Sequence, residues 1–157
     1  MIKYNVRVAG TVGTTTTALA TLISGASRSF VILEVDLEGM ATSSAANEIG
    51  IYRVATAGVT GSSALTFAPI EAPNMTGTTP ALAFSGTGFG AYSTQPVAGT
   101  LIRNIGLNGN GQRFFWRAPN VESAPVVPGG NNAAGSVALF PLSGASAFVG
   151  TIQIGEF

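Results

Sequence analysis

The chain alternates between short apolar runs and turns that are rich in glycine and proline. Within the runs, Val, Ile, Thr and aromatic residues recur at every second position, which is the period of a β-strand. The clearest run is 29–38, where the apolar face carries Val31, Leu33, Val35 and Leu37 and the acidic face carries Glu34, Asp36 and Glu38. This pattern predicts a strand whose apolar face is buried and whose acidic face lies in solvent or forms ion pairs.

Similar runs predict strands along most of the remaining chain. They cover residues 4–9, 48–56, 64–68, 97–107, 112–118, 136–142 and 145–154. Residues 14–24 are also assigned to a strand, because four consecutive threonines favour an extended chain over a helix. Asn108-Gly109-Asn110-Gly111 separates two of the runs, and an Asn-Gly pair in this position is typical of a β-hairpin.

The number and spacing of these runs predict the fold class. A total of about eight to ten short strands is typical of two packed antiparallel sheets. The length of 157 residues suits one domain that buries a core without disulfides or metal. We therefore predict a single all-β domain over 1–157, a two-sheet antiparallel β-sandwich with a jelly-roll-like topology, with an immunoglobulin-like strand order as the alternative.

One long segment, residues 69–96, departs from this pattern. It is rich in Pro, Gly, Thr and Ala, and its large side chains are scattered: Leu82, Phe84, Phe89 and Tyr92. We predict a long loop that contains a short strand at 81–85. Loops of this length in compact domains usually carry function or contact a partner, so these four residues are candidates for partner binding.

Charge is scarce and balanced along the chain. Charged residues make up 9% of the sequence, far below the roughly 25% of an ordinary soluble domain. We therefore expect part of the surface to be covered by another protein. The seven basic and seven acidic residues form no run of one sign, which argues against nucleic acid or an anionic membrane as the partner. No apolar stretch has the length of a signal peptide or a membrane helix, so we expect synthesis in the cytoplasm without secretion.

The side chains that usually carry catalysis are also scarce. The sequence has no Cys and no His, and therefore lacks a thiolate, the commonest general base and the commonest transition-metal ligand. The acidic side chains of 34–38 would spread over about 13 Å on a strand, too far for one ion, and cross-strand pairs with Arg53, Arg103, Arg113 or Arg117 explain them better. No cleft is indicated between carboxylates such as Glu34 and Glu48. We predict no enzymatic activity, no catalytic residues, no cofactor and no metal.

The aromatic cluster Phe114-Phe115-Trp116 lies between two arginines. On a strand, Phe115 shares a face with Arg113 and Arg117, whereas Phe114 and Trp116 point the other way. We assign Phe114 and Trp116 to the core. Phe115 is then an outward-facing aromatic flanked by cations, and we count it among the candidate partner-binding residues.

The order of these features resembles small β-sandwich proteins of tailed-phage virions, particularly capsid decoration (cement) proteins. The resemblance rests on the strand 30–38, the strand 49–56 followed by Gly58, the Gly/Thr/Ala-rich middle, the hairpin around Trp116, and the turn Val126-Val127-Pro128-Gly129-Gly130 before a last strand pair. It implies a virion protein on the capsid surface that binds the major capsid protein and stabilises contacts between its subunits. It also implies a homo-oligomer, with a trimer favoured.

Within this hypothesis, the amino-terminal segment is a second candidate contact. Met1, Ile2, Lys3 and Tyr4 could add an edge strand to a neighbouring molecule. Two other functions remain open. One is a carbohydrate- or receptor-binding module of a virion or tail, with Tyr92, Phe115 or Trp116 stacking on sugar. The other is a shell or filament subunit that assembles alone.

Overall fold

The computed structural model describes residues 1–12, 16–24, 29–54, 63–70, 84–88, 101–127, 136–142 and 146–156. In these residues the chain forms strands and turns, and no helix occurs there. The strands are β1 (Ile2–Val12), β2 (Ala20–Ser24), β3 (Phe30–Met40), β4 (Ala46–Val54), β5 (Ser63–Ala64), β6 (Phe67–Pro69), β7 (Phe84–Gly88), β8 (Leu101–Asn108), β9 (Asn110–Arg117), β10 (Val126–Val127), β11 (Ser136–Pro141) and β12 (Ser146–Glu156).

The strands form two antiparallel sheets. In the first sheet the order is β10-β3-β12-β1-β6, and β9 pairs with β3 on the side of β10. In the second sheet the order is β5-β7-β2-β11-β4-β8. The prediction of an all-β, two-sheet antiparallel sandwich is confirmed, while its jelly-roll topology stays a prediction.

The main core lies between the two sheets. The first sheet contributes Val6, Ile32, Val35 and Ile152, and the second contributes Leu22, Ile49, Ile51, Val137 and Leu139, all fully or almost fully buried. These positions alternate along each strand with residues of the outer faces, as the pleat requires. Burial of apolar area between the sheets is therefore the main force that holds the two layers together.

A β-bulge in β3 changes which residues face this core. Gln153 of β12 lies opposite Glu34, but the next residue, Ile154, lies opposite Ile32, so Leu33 is the extra residue. Phe30 and Ile32 therefore share the core face with Val35 and Leu37. The prediction that Val31 and Leu33 belong to that face is wrong. They form a separate cluster with Ala118 and Ala124 on the other side of the sheet.

The predicted hairpin around Gly109 also differs from the structure. β8 and β9 are separated by this residue alone, so the turn forms where the Asn-Gly pair predicts it. However, β8 pairs with β4 in the second sheet, and β9 pairs with β3 in the first. Asn108 holds the turn, since its Oδ1 atom accepts hydrogen bonds from the backbone N–H groups of Ala45 and Asn110. The turn therefore carries the chain from one sheet to the other.

The second sheet has a buried outer face. A second cluster on the side away from the main core contains Ala18, Tyr52, Val54, Ala138 and Phe140. Every residue of β11 is buried. In the neighbouring strand β4, Ala46 and Arg53 are exposed, and Arg53 lies opposite Val137, on the face of the main core. The two sheets therefore differ in what they present to solvent: the outer face of the first sheet is the more accessible of the two.

Candidate binding surface on the outer face of the first sheet

Four neighbouring strands, β9, β3, β12 and β1, build the outer face of the first sheet. Residues directly opposite each other in antiparallel strands share a face. The register places three rows of side chains across the strands: Arg113, Glu38, Val149 and Ala9; Phe115, Asp36, Thr151 and Arg7; and Arg117, Glu34, Gln153 and Asn5. We call the β9 and β3 part of these rows the Phe115 patch. It comprises Glu34, Asp36, Glu38, Arg113, Phe115 and Arg117.

Much of the scarce charge of the chain lies on this one face. The register assigns four of the seven basic residues and three of the seven acidic residues to it: Lys3, Arg7, Arg113, Arg117, Glu34, Asp36 and Glu38. The signs are mixed, with acids on β3 between the arginines of β9 and the basic residues of β1. A surface of this kind favours a partner with its own mixed charges over a polyanion.

Two arginine-carboxylate pairs order the patch. Arg113 donates two hydrogen bonds to Asp36, with distances of 2.7 Å from Nε to Oδ1 and 2.5 Å from Nη2 to Oδ2. Arg117 donates to Glu34, with Nε and Nη2 at 2.9 Å and 2.7 Å from Oε2. Cross-strand pairing of these acids, as predicted, is confirmed for Arg113 and Arg117. The hydrogen bond from Arg113 lowers the pKa of Asp36 below its usual value.

The other two of the four candidate arginines, Arg53 and Arg103, belong to the second sheet and do not pair with these acids. Arg53 donates from Nη1 to the backbone carbonyl of Val126 at 2.9 Å. The Arg103 guanidinium lies over the ring of Trp116, with its Cζ atom 5.2 Å from the ring centroid. Both side chains therefore connect the second sheet to elements of the first.

Phe115 is the exposed aromatic residue at the centre of the patch. Its side chain is 53% exposed, and the Arg117 guanidinium lies 5.9 Å from the ring centroid. Phe114 and Trp116 are half-buried and pack against the main core. The predicted facing of this aromatic cluster is confirmed. The ring of Phe115 is held outward because its strand neighbours point inward.

The amino-terminal candidates lie inside the first sheet. Ile2, Lys3 and Tyr4 belong to β1 and pair with Glu156, Gly155 and Ile154. Tyr4 is 2% exposed, and its hydroxyl donates a hydrogen bond to Oε2 of Glu156 at 3.3 Å. Met1 is 51% exposed and lies next to Gly155. This segment is therefore not a free arm in the structure, and its buried member Tyr4 is not accessible to a partner.

The candidates of the long segment are mostly outside the described residues. Leu82, Phe89 and Tyr92 lie there, as does most of the predicted loop over 69–96. Phe84 begins β7 and pairs with Ser24, and its side chain is not among those described. The predicted short strand at 81–85 thus corresponds to β7, shifted by three residues at each end.

Several exposed apolar side chains were not predicted from the sequence. Met40, Ile70, Leu101 and Val126 are 37% to 56% exposed. Met40 lies at the end of β3 and Leu101 at the start of β8, and single apolar residues at such positions are common on protein surfaces. Phe115 differs from them because it stands among ordered charged side chains.

Within the described ranges, no group of three or more His, Cys, Asp or Glu side chains is arranged to hold a metal ion. No helix in the same ranges is long and apolar enough to cross a membrane. A scan against protein-family models found no match, and searches of curated proteins and of solved structures also found no match.

Proposed function

We propose that this protein is a virion structural protein that binds the outside of a phage capsid and stabilises contacts between major capsid subunits. The observation that carries this proposal is the Phe115 patch, in which a 53% exposed aromatic ring stands between two arginines in a chain with only 9% charged residues. In this role the protein works by covering surface area and needs no catalytic group, cofactor or metal.

The chemistry of the patch suits a protein partner. Aromatic and arginine side chains are enriched among the residues that dominate protein-protein binding energy. Arg113 and Arg117 are already held by Asp36 and Glu34, so less side-chain entropy is lost when a partner covers them. Glu38 adds a further carboxylate to the same face. The patch thus combines an apolar anchor with charges of both signs.

The β-sandwich supports the same proposal at the level of architecture. The resemblance to decoration proteins implies a two-sheet sandwich, and the structure has this architecture. In the proposed role the partner is the major capsid protein and the protein acts as a homo-oligomer on the capsid surface. Repeated contacts on one lattice then add avidity, so a single contact need not be strong.

A carbohydrate- or receptor-binding role is the second candidate. It is favoured by the exposed ring of Phe115, because aromatic faces also stack on sugars. Trp116 fits this role less well, since its ring is half-buried and Arg103 lies over it. Titration of the protein with glycans, followed through the fluorescence of Trp116, tests this role separately: a saturable change in emission would favour it.

Co-sedimentation with capsids tests the proposal. Purified protein is mixed with particles of the cognate phage from which accessory proteins have been removed, and the bound fraction is measured. We expect saturable binding, weakened about 30-fold by Phe115→Ser if the ring is a dominant contact worth about 2 kcal/mol. Leu101→Ser is the matched control, because Leu101 is 37% exposed and lies in β8 of the second sheet, away from the patch. Failure of the wild-type protein to sediment with particles would contradict the proposal.

A further inference from the structure

β1 is paired unevenly on its two edges. Along one edge it pairs with β12 over its whole length, from Ile2 to Val12. Along the other edge it pairs with β6 only from Tyr4 to Val6. Between Arg7 and Thr11, no strand in the described part of the chain pairs with this second edge. Among the residues that the structure describes, the first sheet therefore ends there in an open edge, residues 7–11 of β1.

The backbone groups that point to this edge follow from the alternation of the strand. The carbonyl of Lys3 accepts a hydrogen bond from the N–H of Ile70, on the side of β6. Because backbone groups of successive residues point to opposite edges, Arg7, Ala9 and Thr11 also point their N–H and C=O groups to that side. All three residues are exposed. An open edge of this kind is a template for pairing with another strand.

We propose that the open edge binds the same edge of a second copy of this chain, antiparallel and around a two-fold axis at Ala9. This register places Ala9 opposite the partner's Ala9, and Arg7 opposite the partner's Thr11. Each of these residues points its N–H and C=O groups at the other copy, so three opposed pairs form about six backbone hydrogen bonds. The first sheets of the two copies then become one continuous sheet.

The side chains of the edge favour a second copy as the occupant. In this register the cation of Arg7 meets a neutral threonine, so no like charges lie opposite each other. Val8, which is 1% exposed and packs in the main core, lies opposite the partner's Gly10. The edge contains no proline, and within 7–11 no register shift interrupts its pairing with β12. Such devices are the ones that usually prevent edge-to-edge pairing.

The length of the edge sets the strength of the contact. β6 occupies the position next to Val6, where Phe67 pairs with it, so the new ladder ends at Arg7 in both copies. A ladder this short covers less area than the roughly 1,200 Å² of a standard stable interface. We therefore expect a dimer that dissociates on dilution. This two-fold pairing does not depend on the proposed capsid role, and it differs from the trimer that the resemblance implies.

Single-cysteine variants test the pairing directly, because the chain has no cysteine of its own. Residues opposed in a hydrogen-bonded antiparallel pair have Cα atoms about 5.5 Å apart, within the range that a disulfide spans. Under mild oxidation, we expect Ala9→Cys to form a disulfide-linked dimer. Asn5→Cys is the matched control on the same face, and it should stay monomeric because β6 covers that part of the edge.

Sedimentation velocity of the unmodified protein gives the second readout. We expect the mean mass to rise towards twice 15.8 kDa with concentration and Ala9→Pro to remove this rise, because proline cannot donate to the new ladder. Ala9→Pro leaves the bonds to β12 intact, and circular dichroism checks that it folds. Equal cross-linking of the two cysteine variants, or association unchanged by Ala9→Pro, would overturn the pairing. Capsid binding is measured separately, so either proposal can fail alone.

Discussion

The guanidinium of Arg103 lies over the indole of Trp116, with 5.2 Å between Cζ and the ring centroid. Arg103 belongs to β8 in the second sheet and Trp116 to β9 in the first. The contact thus joins the two sheets at the side where the chain crosses between them through Gly109. Trp116 is half-buried and packs against both the main core and the cluster of Val31 and Leu33.

Removing the cation above Trp116 should weaken the link between the sheets. We expect Arg103→Met to lower the free energy of unfolding by about 0.5–1 kcal/mol, because an exposed cation-π contact contributes that much. The change is measured by urea unfolding. Trp116 is the single tryptophan, so its emission should shift as well. Arg117→Met is the control, because that guanidinium lies over Phe115. Equal emission changes in both variants would contradict this assignment.

The ion pair between Asp36 and Arg113 makes stability depend on acid pH. The pKa of Asp36 is lowered below 3.8 by the hydrogen bond from Arg113. A carboxyl group with a depressed pKa in the folded state contributes stability above its unfolded pKa, and this contribution is lost as the pH falls through the folded pKa. Arg113→Gln should raise the pKa of Asp36, measured from its carboxyl carbon shift by NMR.

The expected change in stability for this pair is small, because Arg113 is exposed and water screens the interaction. Glu122→Gln serves as the control, and it should leave the titration of Asp36 unchanged. A pKa for Asp36 that is the same with and without Arg113 would contradict the assigned cause.

Close packing of β12 on β3 leaves no room for a side chain at Gly150. A Cβ atom there would collide with the backbone carbonyl of Asp36 and with the side chain of Leu37. Gly150→Ala should therefore destabilise the protein by about 1–3 kcal/mol, as overpacking does. Gly106→Ala is the matched control in an edge strand, since nothing lies within 4 Å of its added carbon. Thermal unfolding should show little change or a small gain for that control.

The outer face of the second sheet is buried and that of the first is exposed, which predicts different losses of stability when a phenylalanine is removed from each. Phe140 is 0% exposed and meets Tyr52 edge-on, with ring centroids 6.2 Å apart. Phe140→Ala should cost about 3–5 kcal/mol of stability. Phe115→Ala, on the exposed face of the first sheet, should change stability by no more than about 0.5 kcal/mol. Similar losses in both variants, measured by chemical unfolding, would contradict the assigned burial.

The bulge at Leu33 shows where the alternation of the sequence stops being informative. Residues 30–33 are all apolar, so a change of face inside this run leaves no trace in the hydrophobic pattern. In residues 34–38, acidic side chains alternate with apolar ones, and there the predicted faces are confirmed. An alternating pattern therefore shows which face a residue belongs to only where the two sets of alternate residues differ in polarity.

The turn at Gly109 shows a second limit. The Asn-Gly pair is a local signal, and it correctly predicts where a turn forms, but not the pairing of a hairpin. Whether the flanking strands pair with each other depends on partners that are distant in sequence, such as Asp36 opposite Phe115. Likewise, the facing of Phe115 was predictable from its own strand, whereas the pairing of Arg113 with Asp36 out of four candidate arginines required the register of β3 and β9.

Calorimetry of capsid particles tests the proposed role most directly. Particles without accessory proteins are heated alone, with the wild-type protein, and with the Phe115→Ser variant. A protein that stabilises contacts between capsid subunits should raise the temperature of capsid disruption, with saturation at a fixed number of copies per capsid subunit. Phe115→Ser should need a higher concentration for the same rise. A disruption temperature that stays unchanged at saturating wild-type protein would contradict the account.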